Sequence, residues 1–124
     1  MVQTPIRQTL EQLRAADAWA CSAACGDDYM KLAKGLPALI MNSGLLQVMA
    51  FLHEKGEKQR HCRDLAGHLR DWLHGRFPAV GADFAGFMQA LMKADPRTCQ
   101  AVTTEAFAWL RWLRQMAAAR QGGD

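Results

Sequence analysis

A chain of 124 residues is the size of one ordinary domain, and its 50% hydrophobic content excludes a disordered polypeptide. Net charge is only +3 but unevenly placed: residues 1–56 carry five basic and five acidic side chains, residues 57–124 ten and seven. That bias suits a phosphate-bearing partner, and the lack of about 18 consecutive apolar residues excludes a membrane-spanning helix. The first residues, MVQTPIRQTL, lack the apolar run of a secretory signal, so a cytoplasmic protein is expected, with Cys21, Cys25, Cys62 and Cys99 as thiols.

Thr4-Pro5 reads as a helix start, a hydroxyl cap followed by proline at the first helical position. Ile6, Leu10, Leu13, Asp17 and Ala20 follow at helical spacing, Asp17 being the one polar member, and Gly26 ends the segment. Asp27-Asp28 can cap the next helix, expected over about 28–43. There Tyr29, Leu32, Ala33, Leu36, Leu39 and Ile40 keep the 3.6-residue period across Pro37, so a kink or two short helices are predicted. Gly44 breaks it. Leu45 to His53 is apolar nearly all round, the mark of a buried central helix, and Gly56 closes it.

Glu57 to about Gly75 is the cleanest amphipathic segment, with Cys62, Leu65, Ala66, Leu69, Trp72 and Leu73 as its apolar stripe. Phe77-Pro78 starts a loop. Phe84, Phe87, Met88, Leu91 and Met92 form a further stripe. Asp95-Pro96 repeats the cap-then-proline start of a last helix running to about Ala119, with Ala106, Trp109, Leu110, Leu113 and Met116 inward. No strand pattern is present. The expectation is all-α: one domain over 1–124, a compact bundle of about six helices with a loose tail from about 120.

No catalytic grouping assembles, and there is no nucleophile elbow, phosphate-binding loop or zinc-helix motif. The histidines, His53, His61, His68 and His74, are spread over about 20 residues, where metal ligation would need them converged with cysteines. Asp64 and Asp71 read as solvated ion-pair partners. No catalytic residue, metal or cofactor is expected.

The more informative pattern is basic. Opposite the apolar stripe lie Arg60, Arg63, Gly67, Arg70 and His74, spaced three, four, three and four apart. Guanidinium groups in one line can follow phosphates with bidentate contacts, and Gly67 leaves room for close approach. Lys31 with Lys34, and Arg111 with Arg114, form two smaller basic pairs. These seven cations, Lys31, Lys34, Arg60, Arg63, Arg70, Arg111 and Arg114, are the candidate phosphate-contacting residues. Met41 and Phe107 lie off their helices' apolar stripes and are candidate partner contacts.

Two stretches carry a family resemblance: YMKLAKGLPALIMNSGLLQVMAFL at 29–52 and TTEAFAWLRWLRQMA at 103–117. Tyr29, Leu32-Ala33-Lys34, Leu36-Pro37, Gly44-Leu45, Gln47 and Ala50-Phe51-Leu52, then Glu105-Ala106, Trp109-Leu110 and Trp112-Leu113, resemble the small helical subunit of the type III-B CRISPR complex, the Cmr or RAMP module. Gly35 stands where a second basic residue is usual. Residues 53–102 match no motif of that family, so the arginine stripe is read from spacing alone.

The resemblance implies a non-catalytic role in antiviral defence. Copies would stack along the filament of the RNA-cutting backbone subunit and help hold guide and target RNA through phosphates and 2′-hydroxyls. Its partners would be the other type III-B subunits, guide and target RNA, and copies of itself, with no membrane. Two other readings remain at this point: a stand-alone helical adaptor or regulatory protein binding a partner protein, and a small metal enzyme using Cys21, Cys25, His61 and Cys62.

Overall fold

The computed structural model describes residues 7–24 and 26–122. The expected start at Thr4-Pro5 lies outside them. Residues 7–9 are not helical, and α1 (Leu10–Cys21) begins later than the sequence suggested. Thr9 is the cap: its hydroxyl accepts from the Gln12 amide, and the Gln12 side chain accepts from the Thr9 amide. Reciprocal capping of this kind satisfies two otherwise orphaned donors.

A short 3₁₀ turn (Ser22–Ala24) leads to α2 (Asp27–Ser43). Gly26, not an aspartate, holds the cap position. Asp27 and Asp28 lie inside the first turn, where their charge still complements the positive helix end. Pro37 is accommodated within one continuous helix. Gly44, at φ +85°, is the joint: its amide donates to the Ile40 carbonyl at 2.7 Å, and its carbonyl accepts from the Val48 amide at 3.2 Å. A side chain would be strained in that conformation.

Then come α3 (Leu45–Lys55), α4 (Arg60–Arg76), α5 (Phe84–Lys93) and α6 (Pro96–Gly122). Among the described residues there are six α-helices and no strand, the all-α bundle expected. α6 is the spine. Its 27 residues span about 40 Å, and it packs against α1, α2 and α4. Asp95 caps it by accepting from the Thr98 amide at 2.7 Å. It runs to Gly122, beyond the predicted end, because Arg120 is anchored: its Nε donates to Ser22 Oγ, its Nη2 to the Trp19 carbonyl, and its guanidinium lies 3.5 Å over the Trp19 ring.

The stripes read from periodicity line one core built around Leu36, Met49, Leu69, Phe87, Trp109 and Leu113. Several assignments need correcting. Leu13 and Ala20 of α1 and Leu39 of α2, all placed on apolar stripes, are exposed. α3 is buried on one face only, through Leu45, Val48, Met49 and Leu52, while Phe51 is exposed. Met92 also faces outward, since α5 is short and only Phe87 and Leu91 are covered.

Among the described residues one charged side chain is buried in this core. Glu105 receives Arg14 of α1 in a fork, Nε to Oε2 and Nη2 to Oε1, each at 2.7 Å. The Trp72 indole of α4 donates to Oε2 at 3.0 Å, and Arg76 Nε is 3.9 Å from Oε1. Burial alone would raise the Glu105 carboxyl. Hydrogen bonds from Arg14 and Trp72 and the charges of Arg14 and Arg76 outweigh it, and the net shift is downward. Along the same seam Trp109 Nε1 donates to Asp17 at 2.7 Å and Trp112 Nε1 to Glu11 at 2.8 Å. Asp17, the polar member of the first stripe, is thus the acceptor that lets a tryptophan be buried.

Two stability measurements follow. Glu105→Gln removes the buried partner of Arg14, which keeps only its exposed ion pair with Glu11, and should cost about 3 kcal/mol in urea denaturation. The Glu105 contribution is complete above its ordinary value of 4.5 and is lost as pH falls through the lower folded value. The variant should therefore lose less stability than the wild type between neutral pH and that acid range. Gly35 sits exposed in the interior of α2 with nothing within 4 Å of an added Cβ. Gly35→Ala should raise stability by about 0.5–1 kcal/mol, read as a melting temperature roughly 2–5 °C higher.

Candidate nucleic-acid interface

α4 turns Leu65, Leu69 and Leu73 into the core, which leaves the basic stripe on its outer side. The structure divides that stripe. Arg60 leans toward Asp64, with Nε 3.5 Å from the carboxylate and the side chain 84% exposed. It lines a broad cleft together with Asp27, Asp28 and Lys58, so its surroundings are of mixed charge. His74 is turned to the loop that follows the helix, its Nδ1 2.6 Å from the Val80 carbonyl.

Arg63 and Arg70 share a different groove, about 370 Å³, between the end of α3 and the outer face of α4. His53, Gly56, Glu57 and Ala66 complete its lining. Arg63 is exposed and Arg70 half-buried. Arg70 Nε donates to the Ala82 carbonyl at 2.9 Å, which orients the guanidinium and pins the loop before α5. Burial lowers the Arg70 pKa from its ordinary value, with Asp71 and Asp83 opposing the shift. Among the described residues no carboxylate lies within ion-pair distance of Arg63 or Arg70. Gly67 does leave the expected gap, for an added Cβ would meet only Arg70 Nη2, at 4.0 Å.

Close approach of α3 and α4 sets this groove. A Cβ on Gly56 would fall 3.0 Å from Arg63 Cβ and 3.1 Å from both Arg63 Cα and the Leu52 carbonyl. Gly56 closes α3 as expected, and it is needed there as a spacer rather than for its backbone freedom, its φ being an ordinary −63°.

The other basic pairs stand apart from this groove. Lys31 and Lys34 are exposed on α2, and Arg111 and Arg114 on α6. Arg111 lies toward α1, where its charge is one of several that lower the Glu11 carboxyl, after the hydrogen bonds from Trp112 and Arg14. Met41 is 78% exposed, whereas Phe107 is half-buried and packed on the core.

Reasoning from the sequence missed one element of the groove. His53 lies flat on Phe84, with centroids 3.8 Å apart and planes 7° from parallel. The two residues are in different helices, and no local pattern announces the pair. Tyr29 Oη and His68 Nδ1 form a similar long-range link at 2.8 Å, on the inner side of α4.

Among the described residues no three histidine, cysteine or acidic side chains converge as metal ligands, and Cys25 lies outside them. Cys21 is pushed up to about 12 by burial and by Asp17, which its Sγ approaches at 3.7 Å. Among the described residues no helix is long and apolar enough to cross a membrane.

Residues 10–120 match the family described as CRISPR-associated protein (Cas_Cmr5). The chain belongs to the Cmr5 family. It is thus a small subunit of the Cmr, type III-B, CRISPR system, as the resemblance implied. The X-ray crystal structure of a CRISPR-associated Cmr5 family protein from Thermus thermophilus superposes with a TM-score of 0.75 at 25% identity, covering 91% of this chain and 97% of that one. A comparison with curated proteins gives no significant match. Belonging to the Cmr5 family accounts for the joined motifs at 29–52 and 103–117, which form α2, α3 and the buried half of α6.

Gly56→Ala should force α4 away from α3 and cost about 1–3 kcal/mol, since the atoms it meets are largely backbone. Thermal denaturation checks this, and the Arg63 amide should show the largest chemical-shift change near the substitution.

Proposed function

We propose that this Cmr5 family member is a non-catalytic subunit of a cytoplasmic type III-B effector complex, folded as one domain. Copies stack along the backbone filament and help hold guide and target RNA. Cleavage is left to the backbone subunit. The observation that carries the RNA-holding part is the α3–α4 groove, where Arg63 and Arg70 project with no acidic partner among the described residues. Charges so placed are available to phosphates, whereas Arg60 must first give up Asp64. Lys31, Lys34, Arg111 and Arg114 extend the basic surface on neighbouring faces, and Met41 with the uncovered part of Phe107 faces other subunits. Binding of this kind is insensitive to base sequence, because the guide supplies the pairing. A single copy binds weakly, and stacked copies gain through effective concentration.

The test is target-RNA affinity of the reconstituted complex carrying Arg63→Glu, measured across salt concentrations. Affinity should fall, and the slope of log K against log salt should drop by about one unit for each phosphate no longer neutralised. Arg60→Glu should do less. An unchanged affinity and slope for Arg63→Glu removes the arginine from the RNA surface while leaving family membership intact.

A further inference from the structure

The α3–α4 groove is lined by charge from α4 and by His53, whose ring stacks on Phe84. Arg70 is held in place by Ala82 and is half-buried, so its guanidinium has a fixed direction, and among the described residues no carboxylate lies within ion-pair distance of it. Arg63 stands about two turns earlier on the same face of α4. Facing them, at the end of α3, is His53, an exposed ring backed by Phe84 of α5. A ring supported from behind is held ready to stack with a second flat group on its open side. Glu57 adds a single carboxylate to the lining. A carboxylate repels phosphate but accepts hydrogen bonds from a sugar hydroxyl. The volume, about 370 Å³, lies within the range of roughly 300–1,000 Å³ typical of small-ligand clefts.

We propose that this groove takes one unpaired ribonucleotide: its phosphate between Arg63 and Arg70, its base on His53, and its ribose hydroxyls toward Glu57. The proposal rests on the RNA-holding reading above and adds a mode of recognition to it. A base inside a duplex is covered on both faces by its neighbours and offers no free face to an imidazole. An unpaired base does, and every base has such a face, so stacking of this kind tolerates any sequence. The groove therefore prefers single-stranded RNA to a duplex, and Glu57 makes it prefer ribose to deoxyribose.

The experiment is an NMR titration of the full-length chain with adenosine 5′-monophosphate, with inorganic phosphate and with adenosine, at millimolar ligand. Short single-stranded RNA, the same sequence as DNA, and the blunt RNA duplex are then compared. The nucleotide should shift the Arg63 and Arg70 side-chain signals and move the His53 ring protons upfield. Inorganic phosphate should move the arginine signals only. His53→Ala should weaken single-stranded RNA binding roughly ten-fold, with little change in salt dependence. His53→Phe, which keeps a flat ring on Phe84, should restore it. Glu57→Gln should narrow the preference for RNA over DNA.

Equal affinity for duplex and single strand, or a silent His53 ring, overturns the pocket. If Arg63→Glu still weakens binding in that case, the RNA-holding reading survives alone. If neither Arg63→Glu nor His53→Ala has any effect, both readings fall. Should His53→Ala prove unfolded by its melting curve, the nucleotide titration of the wild type and the His53→Phe variant decide the matter.

Discussion

A carboxylate with almost no access to water sits where three helices meet. Glu105 of α6 takes the Arg14 fork from α1 and the Trp72 indole and Arg76 guanidinium from α4. Apolar side chains press helices together but tolerate sliding and rotation. A buried charge with directional donors does not, because any other register leaves it unpaired at a cost of several kcal/mol. Glu105 thereby fixes how far α4 is rolled about its own axis. That roll decides that Leu65, Leu69 and Leu73 point inward and that Arg63 and Arg70 point out. The tryptophans of α6 repeat the device: Trp109 is buried only because Asp17 accepts its N–H, and Trp112 is tied to Glu11. α1 is held to α6 by donors and acceptors as much as by burial, consistent with its modest apolar stripe, where Leu13 and Trp19 remain exposed.

The dependence of the groove on the fold runs through small residues and loops. Gly56 lets α3 and α4 approach until a methyl group would no longer fit between them. The loop from Phe77 to Asp83 is drawn back over α4 by Arg70 and His74, which bind the carbonyls of Ala82 and Val80. That loop delivers α5, capped by Asp83, and α5 delivers Phe84 beneath His53. Gly81 and Gly86 touch there, and a Cβ on Gly81 would fall 2.9 Å from the Gly86 backbone. Arg70 consequently has two tasks. It anchors the loop through Nε and presents its other N–H groups to the groove. A substitution at Arg70 therefore disturbs the loop as well as the groove, while Arg63 makes no such hydrogen bond to the loop.

Most helices were legible because their stripes are long and regular. The α2, α4 and α6 patterns each place at least four residues in the core. Where sequence reasoning erred, a tertiary or competing local interaction prevailed. Thr4-Pro5 offered a cap followed by proline, but Thr9 and Gln12 offer a reciprocal pair of hydrogen bonds, and α1 starts there. Asp27 lost the cap position to Gly26. Apolar composition in α3 suggested burial all round, yet composition does not say how many neighbours arrive, and only one face receives them. The arginine line was correct as a pattern on a helix. Its division into a cleft shared with Asp27 and Asp28 at Arg60 and a separate groove at Arg63 and Arg70 depends on α2 and α3, which no reading of α4 by itself contains.

The agreement with the Thermus thermophilus Cmr5 family structure has the same physical reading. At 25% identity three residues in four have changed, and the fold persists at a TM-score of 0.75. Cores accept many apolar exchanges if volume and pattern are kept. A joint at positive φ accepts few, and so does a buried carboxylate with three donors. Gly44 and Glu105 are of that kind here, and both fall in the stretches that carried the family resemblance. The α3–α4 groove falls almost wholly outside them, in residues 53–102. Within that fold the packing of α4 fixes the direction in which it faces, and the residues on its outer side decide what that face can hold.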